Sequence, residues 1–189
     1  MPFAEHIDRE VLTFFNEMRT DPLTSFFLNA TELGSITFLF PLAVLASMYF
    51  LIKKHVWRII FLMSVLWGAR GLNELIKHMV GRHRPDMDPI IQEAGNSFPS
   101  GHSMNSAAVY GYFMYLALKN NNPKRYVWVA VFTGVILTVA ASRLYLGVHY
   151  LTDVTAGITG GLALVFLGII LEQPLKNLIA ARRDKEKGK

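Results

Sequence analysis

Five apolar stretches of about membrane-spanning length constrain this chain more than any other feature of its sequence. About 20 helical residues cross a hydrocarbon layer roughly 30 Å thick. Stretches of that kind lie near Leu33 to Ile52, Trp57 to Met79, Met104 to Leu118, Tyr126 to Ala141 and Val154 to Leu171. The third and fourth are short because polar residues sit at their ends, and Phe26 to Leu28 offers an extension of the first. With 189 residues, 52% of them hydrophobic, and a positive mean hydropathy, the chain is too apolar for an ordinary soluble fold and the right length for one domain. The expected fold class is all-α: a polytopic transmembrane bundle of five to six helices with an N-terminal amphipathic segment, a single domain over residues 1–189.

That segment, Glu5 to Arg19, alternates polar groups with Ile7, Val11, Leu12, Phe14, Phe15 and Met18. It suits a helix lying in the membrane interface or an amphipathic helix packed on the bundle. The chain opens on acidic and polar residues and not on a basic n-region, so no cleavable signal peptide is expected and the first span directs insertion. There is no cysteine, which removes disulfides and thiolate metal sites.

Orientation follows from the cations. Lys53, Lys54 and Arg58 lie between spans one and two, Lys119, Lys124 and Arg125 between spans three and four, and Lys176, Arg182, Arg183, Lys185, Lys187 and Lys189 in the tail. A five-span topology puts all of them on one side, which the positive-inside rule makes cytoplasmic, the C-terminus included. These segments account for most of the net charge of +5, and they place membrane lipids among the expected partners. Nucleic acid is not expected, because no basic patch with interleaved aromatics exists away from the membrane edge. No obligatory protein partner is evident.

The opposite, extracytoplasmic side then receives three clusters: Lys77 with Arg84-Pro85; Pro99-Ser100-Gly101-His102; and Ser142-Arg143 followed by His149 and Asp153. His149 and Asp153, four apart, share a helix face, so the carboxylate can fix the tautomer of the imidazole and leave its other nitrogen with a free lone pair. Such a ring is a nucleophile or a base; an isolated pair of this kind more often only caps and packs. Arg143, six residues earlier, puts a cation where an attacked anion would sit. The Pro99-Ser100-Gly101 turn opens the third span, and a helix start beside a glycine offers N–H donors to an anion, with Ser100 adding a hydroxyl and His102 a proton. By itself that turn also reads as a plain helix cap. Lys77 and Arg84 read alone as snorkelling cations. Three outward cations running against the charge bias call for an anionic partner.

Together the three clusters resemble the signature of the type-2 phosphatidic acid phosphatase superfamily: Lys, six residues, Arg-Pro; Pro-Ser-Gly-His; Ser-Arg, five residues, His, three residues, Asp. Every internal spacing is met, and the resemblance runs from span two to span five, giving a catalytic core of about residues 70–172. It implies a helical bundle, a metal-independent phosphatase or diphosphatase with no cofactor, and a lipid phosphate substrate. It also implies roles: His149 as nucleophile, Asp153 as its orienting partner, His102 as acid, and Lys77, Arg84, Ser100, Gly101 and Arg143 as the phosphate cage. The chain departs from the usual members in showing five spans plus the amphipathic segment where they have six. No metal is implied, since Asp86 and Asp88 alone are poor evidence for one.

The expected enzyme is an integral-membrane lipid phosphatase of the cell (inner) membrane acting through a phosphohistidine. Phosphatidylglycerophosphate, phosphatidic acid and undecaprenyl diphosphate are the candidate substrates. Transfer to another lipid shares every residue, and a non-catalytic anionic-lipid binder or transporter is the alternative of another class; it would have no use for the His149–Asp153 pair facing a second histidine. Two further expectations concern helix faces. Arg70 and Glu74, four apart within span two, should pair with each other facing the bundle, the lesser alternative being an exit path for phosphate or a headgroup contact. Gly157, Gly160 and Gly161 should permit close helix packing.

Overall fold

The computed structural model describes residues 2–120 and 123–187, with side chains over 3–120 and 123–179. Lys189 lies outside the described residues, as do the side chains of the tail cations from Arg182 onward. Described residues form α1 (Pro2–Glu17), α2 (Asp21–Thr31), a 3-10 turn (Glu32–Gly34), α3 (Ile36–Ile52), α4 (Val56–Val80), α5 (Gly101–Lys119), α6 (Arg125–Tyr145) and α7 (Leu151–Lys187), with no strand among them. Local chemistry sets the boundaries that matter for the site. The Ser35 side chain accepts the Phe38 N–H and starts α3. Gly81, at φ 64°, ends α4 in a left-handed cap whose N–H returns to the Lys77 carbonyl. Ser100 caps α5 by accepting the Ser103 N–H.

The centre of the bundle is α5. Every residue from Ser103 to Tyr112 is buried, so this helix is enclosed on all sides, by α4, α6 and α7 above all. Enclosure explains its composition. A helix that meets protein all round can carry Ser103, Asn105 and Ser106 where a lipid-facing one could not, and their hydrogen bonds can be met internally, as Ser106 Oγ donates to the Ser103 carbonyl. Between helices in lipid there is no hydrophobic driving force, so association rests on close van der Waals approach. At Gly157 of α7 a Cβ would lie 2.6 Å from the Ser100 carbonyl oxygen, and at Gly161 it would strike the Met104 carbonyl. Gly157 and Gly161 are therefore where α7 touches the backbone of α5 and its cap, as expected, while Gly160 meets the Met104 side chain and Gly168 the Phe61 ring of α4.

The five expected stretches fall on α3, α4, α5, α6 and α7, with shifted bounds. Three helices, α4, α6 and α7, are long and apolar enough to cross a membrane by themselves, and α3 becomes so only with α2, from which it is bent by 47°. The first apolar stretch is thus carried by a bent pair, α2 and α3, broken at the 3-10 turn that includes Leu33. α2 begins where Pro22 fixes φ in the first turn. α5 fails on apolarity for the reason just given. α7 continues past Leu171 through Pro174. α1 takes the packed of its two expected forms: Leu12 and Asp8 are buried as it lies against the ends of α6 and α7.

Chain direction then sorts the loops. The end of α4, the start of α5, the end of α6 and the start of α7 meet at one end of the bundle. Arg58 and Lys77 are separated by 19 residues of α4, about 28 Å at 1.5 Å per residue. Lys53, Lys54, Arg58, Lys119, Lys124, Arg125 and Lys176 therefore belong to the far end.

Candidate active site

All three sequence clusters converge at the first of these ends. They surround a cavity of about 300 Å³ lined by Arg70, Asn73, Glu74 and Lys77 of α4, Arg84, Glu93 and Ala94 of the following loop, Gly101, His102 and Asn105 of α5, His149, and Gly34 and Ile36 beside α3. The loop over residues 81–100 is pinned on both flanks. Ser97 N–H donates to the Arg82 carbonyl (2.8 Å) and Ile90 N–H to the Leu146 carbonyl (3.0 Å). Asn73 Nδ2 holds the Pro99 carbonyl (3.0 Å), and Asn96 Nδ2 the Lys77 carbonyl (2.8 Å). A cis peptide joins Phe98 to Pro99.

His149 is 1% exposed and stands just ahead of α7, with Asp153 in the first turn of that helix. Its Nδ1 is 3.5 Å from Asp153 Oδ2 and 3.3 Å from Ser97 Oγ. Arg84 Nη1 approaches its Nε2 at 3.3 Å. A carboxylate on one side and a guanidinium donor on the other fix the tautomer, with the proton on Nδ1 and the Nε2 lone pair turned toward the cations. Burial pushes the imidazole down to about 4, with Arg143 and Arg84 acting in the same sense against the Asp153 hydrogen bond. It is neutral at physiological pH.

Asp153 is held by more than its histidine. Oδ2 accepts from Ser97 Oγ in a very short hydrogen bond and from Tyr150 N–H at 2.9 Å, and Oδ1 accepts from Arg82 Nη1 at 2.7 Å. Arg82 in turn donates to Asp8 Oδ2 of α1 (2.8 Å) and to Thr152 Oγ1 (2.7 Å) and lies over the Tyr150 ring. Asp8 receives Thr152 N–H as well (2.9 Å). The amphipathic helix is therefore wired to the His149 partner through one arginine.

Arg143, in the last turn of α6, is fully buried. It donates to Thr31 Oγ1 (2.6 Å) and is paired with Glu93, while its Nε has no hydrogen-bond partner. Glu93 also pairs with Arg84 Nη1 at 2.9 Å. Burial would push the Glu93 carboxyl up, but Arg143 and Arg84 hold it at about 2. A carboxylate thus bridges the two arginines, and an unused N–H donor remains beside it.

Among the residues picked out from sequence, Lys77, Arg84, Gly101, His102 and His149 line the cavity, and Arg143 and Asp153 back it. The Ser100 hydroxyl is placed otherwise: it is buried in the α5 cap, accepting from Ser103 N–H and Ser103 Oγ, and does not line the cavity. Arg70 and Glu74 form no ion pair with each other; both are exposed and line the cavity. Asp88 is engaged by Arg19 at 3.5 Å. Sequence reasoning missed Arg82, Asp8, Ser97, Glu93 and Asn73. Only Arg82 carried a signal, as a second arginine two residues before Arg84.

The arrangement can hold a tetrahedral dianion between Lys77, Arg84 and Arg143 within reach of two imidazoles. The sequence profile of the PAP2 superfamily matches residues 56–176. Phosphatidylglycerophosphatase B of Bacillus subtilis is 39% identical over 142 residues, covering 72% of this chain and 69% of that protein. Lipid A 4'-phosphatase of Bacteroides thetaiotaomicron is 28% identical over 178 residues, covering 84% and 74%. The crystal structure of the transmembrane PAP2 type phosphatidylglycerolphosphate phosphatase from Bacillus subtilis superposes with a TM-score of 0.83 at 32% identity, over 92% of this chain and 88% of that one. That of Aquifex aeolicus LpxE shares the fold, with a TM-score of 0.72 at 21% identity over 86% and 94%.

Proposed function

The chain belongs to the PAP2 superfamily and is a multi-pass membrane lipid phosphatase, and on that premise we propose that it releases phosphate through a phosphohistidine on His149. The observation that carries this reading is the state of His149: neutral, its tautomer set by Asp153, its Nε2 beside Arg84 at the wall of the cationic cavity. Burial and Arg143 push the His102 imidazole well down, so it takes up its proton as the phosphate dianion enters beside it. Nε2 of His149 then attacks phosphorus in line while His102 gives that proton to the departing lipid oxygen. In the second step water attacks the phosphohistidine as His102, now neutral, takes a proton from the water and the His149 ring leaves. Lys77, Arg84, Arg143 and the N-terminal N–H groups of α5 at Gly101 bear the charge on the equatorial oxygens, the largest expected contribution. Ser100 supports this turn through its cap.

The substrate is a lipid phosphomonoester or diphosphate, and the likeness to phosphatidylglycerophosphatase B favours phosphatidylglycerophosphate over phosphatidic acid and undecaprenyl diphosphate. Ile36 and the exposed Arg70 and Glu74 line the cavity on its α3–α4 flank, which supports a headgroup entering from the side. The far-end cations support an extracytoplasmic site and a cytoplasmic C-terminus. Phosphate release from these three lipids by purified protein, compared as kcat/KM, tests the reading. Turnover of phosphatidylglycerophosphate should be fastest, and release from none of them would overturn it.

Glu93 yields a separate expectation. Its carboxylate holds positions on Arg84 and Arg143 that phosphate oxygens need, so substrate must displace it. Glu93→Gln removes the competing charge, and inhibition by inorganic phosphate or vanadate should tighten by about tenfold, ~1.4 kcal/mol. Weaker inhibition would instead make Glu93 a group that aligns the two arginines.

A further inference from the structure

At the far end of the bundle, about 28 Å along α4 from the site just described, a second cavity of about 280 Å³ opens between the start of α4, the end of α5 and α7. Four cations line it, Lys54, Arg58, Lys119 and Lys176, and they face one carboxylate, Glu172. Glu172 is already saturated: it receives Lys176 Nζ at 2.5 Å, Lys119 Nζ at 3.1 Å and Tyr115 OH at 2.8 Å. It neutralises part of the cluster and leaves Lys54 and Arg58 over. Arg58 makes a 3.3 Å hydrogen bond to the neutral Asn120 side chain and lies over the Phe50 ring, with no carboxylate partner among the described residues. Lys54 sits at φ 58° in the turn after α3, the left-handed position where glycine is the unstrained residue, so a lysine is kept there against backbone preference.

Next to this basic cavity lies an apolar slot of about 180 Å³ walled by Ile60, Gly168, Leu171 and Leu175. The two share Trp57, Phe61 and Glu172 and so lie side by side, a cationic mouth adjoining a hydrocarbon slot. Trp57 stands at the junction with Lys176 over its ring. A free anion would use the mouth and leave the slot idle, and a neutral chain would do the reverse. Both halves together match one ligand, a phospholipid with a net negative headgroup and an acyl chain laid along α4 and α7.

We propose that this groove is a binding site for an anionic phospholipid, separate from the catalytic cavity and at the other end of the bundle. Its occupant is retained and not turned over: one histidine, His55, lines the groove, but among the described residues no carboxylate is paired with its ring, and His102 and His149 lie at the opposite end of the bundle.

The test uses the full chain carrying Trp67→Phe and Trp128→Phe, which leaves Trp57 as the reporter, in mixed micelles at constant ionic strength. Brominated phosphatidylglycerol should quench Trp57 at a several-fold lower mole fraction than brominated phosphatidylcholine. In a variant that also carries Lys54→Gln and Arg58→Gln the difference should vanish, while lipid phosphatase turnover at the remote site stays within twofold and reports an intact fold. Equal quenching by the two lipids, or a preference that survives the double substitution in active protein, would overturn the proposal. Relief of the quenching by millimolar inorganic phosphate would place a free anion there and would overturn it too.

Discussion

His149→Ala should lower turnover of a lipid phosphate by on the order of 10⁴-fold or more while the protein remains folded. The ring is the atom source for the first new bond, so neither step proceeds without it. The substitution spares the packing around α7, because Asp153 keeps its bonds from Arg82, Ser97 and Tyr150 N–H and is not left as an orphaned charge. Asp153→Asn should be less severe, since it disturbs the tautomer without removing the nucleophile. The pH profile belongs to the same expectation. With its pKa lowered to about 4 by burial and the nearby arginines, His149 stays neutral and reactive well below its ordinary range, so the acid limb of kcat/KM should fall near pH 4 and not near 6.5. A limb at 6.5 would mean that the ring is solvated in the working enzyme. Retention of more than a small residue of activity in His149→Ala would remove the phosphohistidine.

Arg143→Gln should cost roughly 10²- to 10³-fold in kcat, the usual effect of losing one preorganised donor for transition-state charge. The guanidinium is fully buried, so its strength at the phosphate is not diluted by water, and its free Nε marks a donor that the resting protein does not use. The fold should survive. Glu93 retains its Arg84 partner, and removing a buried cation that is otherwise costly to desolvate offsets much of the lost pairing. Measured with a soluble phosphomonoester as well as a lipid, the loss should be similar for both, because Arg143 addresses the phosphate and not the lipid body. A loss confined to the lipid would assign it to headgroup recognition.

What the sequence made legible divides along a physical line. Lys77, Arg84, His102, Arg143, His149 and Asp153 were readable because each is a costly group in an apolar chain, and their mutual spacing repeats a known pattern. Nothing comparable marks Ser97, an unremarkable loop serine two residues before Pro99, or Asp8, one acid among several on α1; both matter only through where the fold brings them. The Arg70–Glu74 pair failed because i,i+4 spacing permits an ion pair but does not require one, and both residues line the cavity unpaired with each other. Ser100 was assigned to the ligand where the backbone of α5 claimed its hydroxyl first. α5 runs from one end of the bundle to the other as expected, and its modest apolarity follows from enclosure, since a helix surrounded by its neighbours answers to them and not to lipid.

The most direct test is chemical trapping. Protein mixed rapidly with a radiolabelled lipid phosphate and quenched in base during turnover should carry a phosphoryl group that is stable to alkali, labile to acid and located on the peptide containing His149, and His149→Ala should carry none. Turnover without any protein-bound label at the shortest quench times, or a label that persists in His149→Ala, would contradict it.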